Sequence, residues 1–183
     1  MTYYGAKELA AAFRTVRGNT IKIAEEIPEG RYDFRPAPGS RSVAETLVHI
    51  AVIPRVPEHL HFVKRLRTLV GFDFFGFMGN ILAEEKLPRT KNEILEMLRT
   101  GGENFAKLLE GASEEFLAER VEYPPTMVPP VKTRFELLLG PKEHEMHHRG
   151  QLMLVERMLG ITPHLTRQMG ERIAAMKAAP AGG

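Results

Sequence analysis

The sequence predicts an all-α chain folded as a four-helix bundle with additional short helices, and three observations carry that expectation. Apolar residues recur at spacings of three and four along four long stretches. No run alternates apolar and polar residues for long enough to demand a sheet. The connections between the stretches differ greatly in length, which suits a bundle with short accessory segments. At 183 residues and 43% hydrophobic content the chain suits one well-buried core. Residues 1–177 are therefore expected to form a single domain, and 178–183 a disordered tail with nothing to bury.

In the first stretch, from Tyr3 to Ile27, Leu9, Phe13, Val16, Ile23 and Ile27 share one helical face with Thr20, and Pro28 and Gly30 follow as stop signals. Residues 31–40 are too rich in proline and glycine for regular structure, and Tyr32 and Phe34 are expected to pin this connection to the bundle. Ser42-Val43-Ala44-Glu45 matches a capping box and opens a second helix, apolar almost all round from Leu47 to Ile53. Pro54 and Pro57 are expected to kink or interrupt it before a helical pattern resumes from Glu58 to Val70, with His59 and His61 as ordinary surface or boundary residues. The stretch Gly71 to Asn80 mixes four phenylalanines with three glycines and reads as a loop: a lid, a pocket wall, a dimer contact, or a segment simply folded onto the core.

Thr90-Lys91-Asn92-Glu93 is another capping box, opening a third helix through Ile94, Met97, Leu98, Phe105, Leu108 and Leu109, with Gly101-Gly102 as a weak middle. A short helix is expected from Ser113 to Glu119, and Pro124-Pro125 and Pro129-Pro130 bracket a stiff crossing segment. The fourth helix is kinked or restarted at Gly140-Pro141 and closed by Gly160 and Pro163, with a small terminal helix from Arg167 to Lys177.

Composition excludes several classes of function. Lys and Arg total 25 against 23 Asp and Glu, and the densest basic run, Lys64-Arg65-Leu66-Arg67, reads as a solvated helix face, so no nucleic-acid partner is expected. The absence of cysteine removes disulfides, thiolate ligands and a cysteine nucleophile, so any thiol chemistry needs an external thiol. No apolar run reaches the ~18 residues of a membrane span, and the charged N-terminal segment lacks a signal-peptide core; a soluble, cytoplasmic protein is expected.

The chemistry gathers in Glu143-His144-Glu145-Met146-His147-His148-Arg149-Gly150-Gln151, which holds three of the seven histidines. His144 and His148 lie about 40° apart around a helix axis, so both rings can converge on one point. Leu137, Leu152, Val155 and Leu159 lie within about 40° of His148, whereas His147 lies about 100° away, so the inward pair is His144 and His148. Two imidazoles need a third ligand, and His49, in its apolar helix, is the best candidate; the alternative is a core histidine bonded to a carbonyl. His144-Glu145-Met146-His147-His148 also satisfies the H-E-x-x-H pattern of zinc proteases, but no strand signal or suitable downstream ligand supports it beyond Glu156, His164 and Glu171. Gly150 reads as a close-packing position, and Gln151 as a contact to a ligand or a structural hydrogen bond.

The run Tyr32 to Gly39, the box Ser42 to Glu45 leading into His49, and H-x-x-x-H-R-G-Q from His144 to Gln151 together resemble the DinB/YfiT-like family of metalloenzymes. The resemblance implies a four-helix bundle, often a homodimer, in which His49, His144 and His148 bind a divalent metal. Zinc or nickel suits the set best, with iron and manganese as further options. It further implies a small-molecule substrate and transfer of a low-molecular-weight thiol. The rival expectations are hydrolysis of a small substrate, with Glu145 or Glu45 as base, and a non-catalytic, stress-associated metal-binding protein.

Overall fold

The computed structural model describes residues 4–178, so of the expected tail 179–183 lie outside the described residues. In chain order it contains α1 (Ala6–Glu26), α2 (Val43–Val52), the single turn α3 (Arg55–Pro57), a π-helical turn (Glu58–Val63), α4 (Phe74–Ala83), a 3₁₀ turn (Glu84–Lys86), α5 (Lys91–Glu110) and α6 (Glu114–Ala118). Strands β1 (Arg120–Glu122) and β2 (Val131–Thr133) follow, then α7 (Arg134–Met158) and α8 (His164–Ala178). Helices α1 and α2 each pack on α5 and on α7, so the four close a bundle with α1 and α2 on one diagonal.

The helix starts follow from local chemistry. Ser42, Thr90 and Thr133 each accept the N–H of the glutamate three residues on, while that glutamate accepts the N–H of the cap. The Tyr32 hydroxyl donates to the Ala24 carbonyl at 2.7 Å, which pins the proline-rich connection to α1 as its composition suggests.

Several expectations are corrected. The aromatic stretch from Gly71 is mostly helix rather than loop, because Asp73 caps α4 by accepting the Gly76 N–H at 2.9 Å. A Cβ at residue 76 would lie 2.1 Å from the Asp73 carboxylate, so any larger residue there would displace the capping side chain. Beyond Pro57 the helical pattern lasts only to Val63, and as a π-turn. The two proline pairs sit between β1 and β2, which pair antiparallel with Arg120 opposite Thr133; three-residue strands are too short to show alternation in sequence. Helix α7 begins at its Thr133 cap and carries Pro141 buried within it, so Gly140-Pro141 does not set its start. Gly150 is exposed and a Cβ there would meet nothing within 4 Å, so it makes no close packing among the described residues. Helix α8 starts at His164, ahead of the expected Arg167, and includes Ala178.

The core has two apolar halves. One gathers Leu9, Phe13, Phe105, Leu109 and Leu138; the other gathers Ile23, Ile27, Leu47, Ile94, Leu98 and Leu152. Between them in chain position on α1, α5 and α7 lie Arg17, Gly102 and Glu145. Arg17 is on the same face as Phe13 and is buried, and its guanidinium reaches all three partner helices. It donates from Nε and Nη2 to the Glu145 carboxylate at 2.9 Å, from Nη1 to the Leu98 carbonyl at 2.9 Å and from Nη2 to the Ile50 carbonyl at 3.1 Å. Gly102 makes the room, since a Cβ there would stand 2.8 Å from Arg17 Cγ. The two glycines that read as a weak middle of α5 thus include one that the ion pair needs.

A second buried polar group, at the junction of α1, α7 and α8, is incompletely paired. Both Glu156 oxygens, Glu26 Oε2 and His164 Nδ1 are sealed from solvent with no hydrogen-bond partner among the described residues. Burial, with the Glu26 charge adding to it, pushes the Glu156 carboxyl up to about 7.

Two outcomes are expected from this packing. Gly102→Ala and Arg17→Leu should both lower stability in urea unfolding, the latter by about 3–5 kcal/mol because it strands the Glu145 carboxylate; a wild-type midpoint for Arg17→Leu would show that the ion pair does not hold the bundle. Glu156 binds its proton more tightly when folded than the ~4.3 of an unfolded glutamate, so the stability it contributes is fully present below pH ~4 and is lost as pH rises through about 7. Glu156→Gln should therefore gain on wild type between pH 5 and pH 8, and parallel stability curves for the two proteins would contradict this.

Candidate metal centre

Three histidines from two helices meet in the bundle. His49 is carried on α2 and His144 and His148 on α7, with His49 and His148 buried and His144 half-buried. His144 Nε2 stands 3.1 Å from His49 Nε2 and 3.2 Å from His148 Nε2. One ring nitrogen from each of the three lies within 4.8 Å of the others. Ligand bonds of ~2.0–2.1 Å in a tetrahedral site place neighbouring donors about 3.3 Å apart, so the cluster needs little adjustment to hold an ion.

The outer ring nitrogens decide what the inner ones present. His49 Nδ1 donates to Glu85 Oε1 at 2.6 Å, and His148 Nδ1 donates to Gln151 Oε1 at 2.8 Å. Both protons sit on Nδ1, so both Nε2 atoms turn lone pairs toward His144 Nε2, which can donate to only one of them. At least one lone pair faces the cluster without a proton, and a cation at its centre satisfies all three. Burial, reinforced by the neighbouring imidazoles, pushes His144 down to about 4, and burial also lowers His49 and His148. All three are neutral near pH 7, the form a divalent metal binds.

The remaining residues singled out in the sequence take other places. His147 is exposed and accepts from Gln151 Nε2 at 3.1 Å, so Gln151 braces the His148 ring. Glu145 points away into the Arg17 ion pair, which removes both the zinc-protease reading and a Glu145 base. Glu45 is held by Arg35 at 2.6 Å and by its own helix cap. His61 is a correction of a different kind: it is buried, and Arg134 Nη1 donates to its Nδ1 at 2.9 Å. The downstream residues weighed as further ligands stay out of the cluster, since Glu156 and His164 lie in the polar group under α8 and Glu171 is exposed.

Glu85 was not legible as part of the site. It comes from the 3₁₀ turn after α4, also takes an ion pair from Arg41 at 2.6 Å, and is nothing more in sequence than one acid of a Glu-Glu pair. Arg17 did carry a signal, a charge placed on the apolar face between Phe13 and Thr20.

Two cavities border the cluster. One of about 990 Å³ is lined by the charged Arg35, Arg41 and Lys86 together with His147 and His148. Another, largely apolar, of about 610 Å³ reaches His144.

Residues 12–152 match the model of the DinB superfamily. The chain belongs to that superfamily. YjoA of Bacillus subtilis, an uncharacterised protein, is 26% identical over 164 residues, covering 86% of this chain and 92% of YjoA. The crystal structure of YjoA, a DinB-like protein, superposes with a TM-score of 0.58 at 23% identity over 85% of this chain and 94% of that one. YfiT of Bacillus subtilis, described as a probable metal-dependent hydrolase with an unusual four-helix bundle topology, gives 0.64 at 14% identity, covering 88% and 91%. An uncharacterised protein from Clostridium difficile 630 gives 0.62 at 14% identity, covering 86% and 98%. These structural likenesses establish the shared bundle fold of this DinB chain.

The Glu85 contact makes the site testable from outside its ligands. Glu85→Ala is expected to weaken zinc binding by about 10–100-fold in competition with a chelator, because the His49 ring loses the group that orients it. Unchanged affinity would show that Glu85 has no part in the site.

Proposed function

We propose that this DinB protein is a metal-dependent enzyme in which His49, His144 and His148 ligate one divalent cation, zinc or nickel, and that it transfers a low-molecular-weight thiol to a small electrophile. The observation that carries this reading is the tautomer arrangement: Glu85 and Gln151 fix protons on the outer nitrogens and leave lone pairs converging where a cavity meets the cluster. A cation held by three neutral imidazoles keeps its full charge and an open position, and lowers the pKa of a thiol or water that joins it.

The choice of thiol over water rests on what the chain does not supply. Each carboxylate near the cluster is engaged: Glu85 by His49 and Arg41, Glu145 by Arg17, Glu45 by Arg35. Water, with a pKa of about 15.7, gains most from a neighbouring base. A thiol near pKa ~8.5 needs far less help, and the chain has no cysteine to compete with an external one. In the transfer the thiol proton passes to solvent, sulfur bonds to the electrophilic carbon, and the leaving group departs with its electron pair. The protein's part is to hold the cation and to shield the reacting atoms within the cavity.

Hydrolysis is the second reading, favoured by the fold shared with YfiT. A non-catalytic metal-binding role is the third. Zinc- or nickel-loaded protein assayed with glutathione, cysteine or another small thiol and an activated aryl halide is expected to show thiol-dependent conjugation, lost in His148→Ala. Turnover of an activated ester without thiol, with no conjugation, would replace the first reading by the second. Absence of both, with full metal occupancy, would leave the third.

A further inference from the structure

The apolar cavity beside His144 has a composition that selects its occupant. Its walls include Val56, Leu60, Phe72, Met78 and Leu137, and among the residues that line it there is no aspartate, glutamate, lysine or arginine. A volume of about 610 Å³ is in the range of sites for small organic molecules, which are mostly apolar with a few placed polar groups. A charged ligand body would lose its hydration here with no counter-charge in the wall.

One placed polar group is His61. It lines the same cavity as His144 and comes from the π-turn, where it is 3% exposed. A guanidinium only donates, so Arg134 Nη1 at 2.9 Å makes His61 Nδ1 an acceptor and puts the ring proton on Nε2. Arg134 is itself fixed by Glu119 at 2.8 Å and by the Leu66 carbonyl at 2.9 Å. His61 Nε2 has no hydrogen-bond partner among the described residues, and it is not among the atoms sealed from solvent without one. Burial and the Arg134 charge hold the ring well below the usual histidine range, at about 4. The cavity thus contains the His61 N–H donor in largely apolar walls, whose other polar side chains are Tyr123, Thr126 and His144.

We infer that this cavity binds uncharged, apolar or aromatic small molecules bearing a neutral acceptor such as a carbonyl, with the acceptor hydrogen-bonded by His61 Nε2–H. As the substrate class of the proposed enzyme, this rests on the metal-site reading; as a binding site, it stands without it.

Binding is read by displacement of the neutral dye N-phenyl-1-naphthylamine from full-length protein, metal-free and zinc-loaded. The competitors are acetophenone, its near-isostere α-methylstyrene, which lacks the acceptor, and benzoate. In metal-free wild type, benzoate is expected to be at least about tenfold weaker than acetophenone. In His61→Leu, acetophenone should weaken about threefold to tenfold with α-methylstyrene unchanged. His61→Gln, which can accept from Arg134 and still donate, should restore acetophenone binding.

Should His61→Leu fail to fold, the cavity itself is tested at Gly140, a lining position where a Cβ meets no atom within 4 Å. Gly140→Leu is expected to weaken the dye and both neutral competitors at least about tenfold while keeping helicity. Wild-type dye binding in Gly140→Leu, benzoate as tight as acetophenone in metal-free protein, or equal losses for acetophenone and α-methylstyrene in His61→Leu would each overturn the proposal. Dye displacement that follows the expected pattern in a protein without turnover would overturn the catalytic reading alone. Turnover in a protein that fails these binding tests would overturn the cavity alone.

Discussion

The contact on which this bundle most depends is the buried pair of Arg17 and Glu145. A guanidinium taken out of water is costly unless its donors are satisfied, and here they are met by one carboxylate and two carbonyls from three other helices. That requirement sets geometry as much as stability. Glu145 stands between His144 and His148 in sequence, and Ile50 follows His49. By holding Glu145 and the Ile50 carbonyl toward α1, Arg17 fixes the rotation of α7 and the position of α2. The three imidazoles then face one another, with His144 and His148 about 100° and 60° around α7 from Glu145.

The same logic repeats on a smaller scale at the cluster. Glu85 and Gln151 hold the outer nitrogens of His49 and His148, so the inner nitrogens converge as acceptors. Burial favours the neutral rings, and neutral rings with converging lone pairs are what a cation site requires. His61 is governed by the same rule with the opposite result. Arg134 occupies its Nδ1 and leaves a donor on Nε2. His61 and one histidine of the cluster, His144, thus border one largely apolar space.

Much of this architecture was legible in the chain. Two capping boxes, at Ser42 and Thr90, marked two of the main helices, and the apolar spacing of α1 and α5 marked their buried faces. The i, i+4 spacing of His144 and His148 and the apolar surroundings of His49 identified the residues that the fold brings together. The helix wheel also separated His147, which is exposed. What was read wrongly fails for local reasons. The Asp73 cap of α4 was hidden by the phenylalanines and glycines around it, and the hairpin strands were too short to alternate. Glu45 and Glu145 were weighed as bases on proximity in sequence, whereas each is already held by an arginine.

By itself the sequence determined the helical periodicity, the starts of α2 and α5 and the spacing of the α7 histidines, because each is set by neighbours within a turn or two of backbone. Only the tertiary structure decided that Glu85 orients His49, that Glu145 belongs to Arg17, and that His61 turns a donor into the cavity beside His144. Those pairings join residues from 36 to 128 positions apart. No local pattern encodes them; they arise because buried polar groups must find partners wherever packing places them.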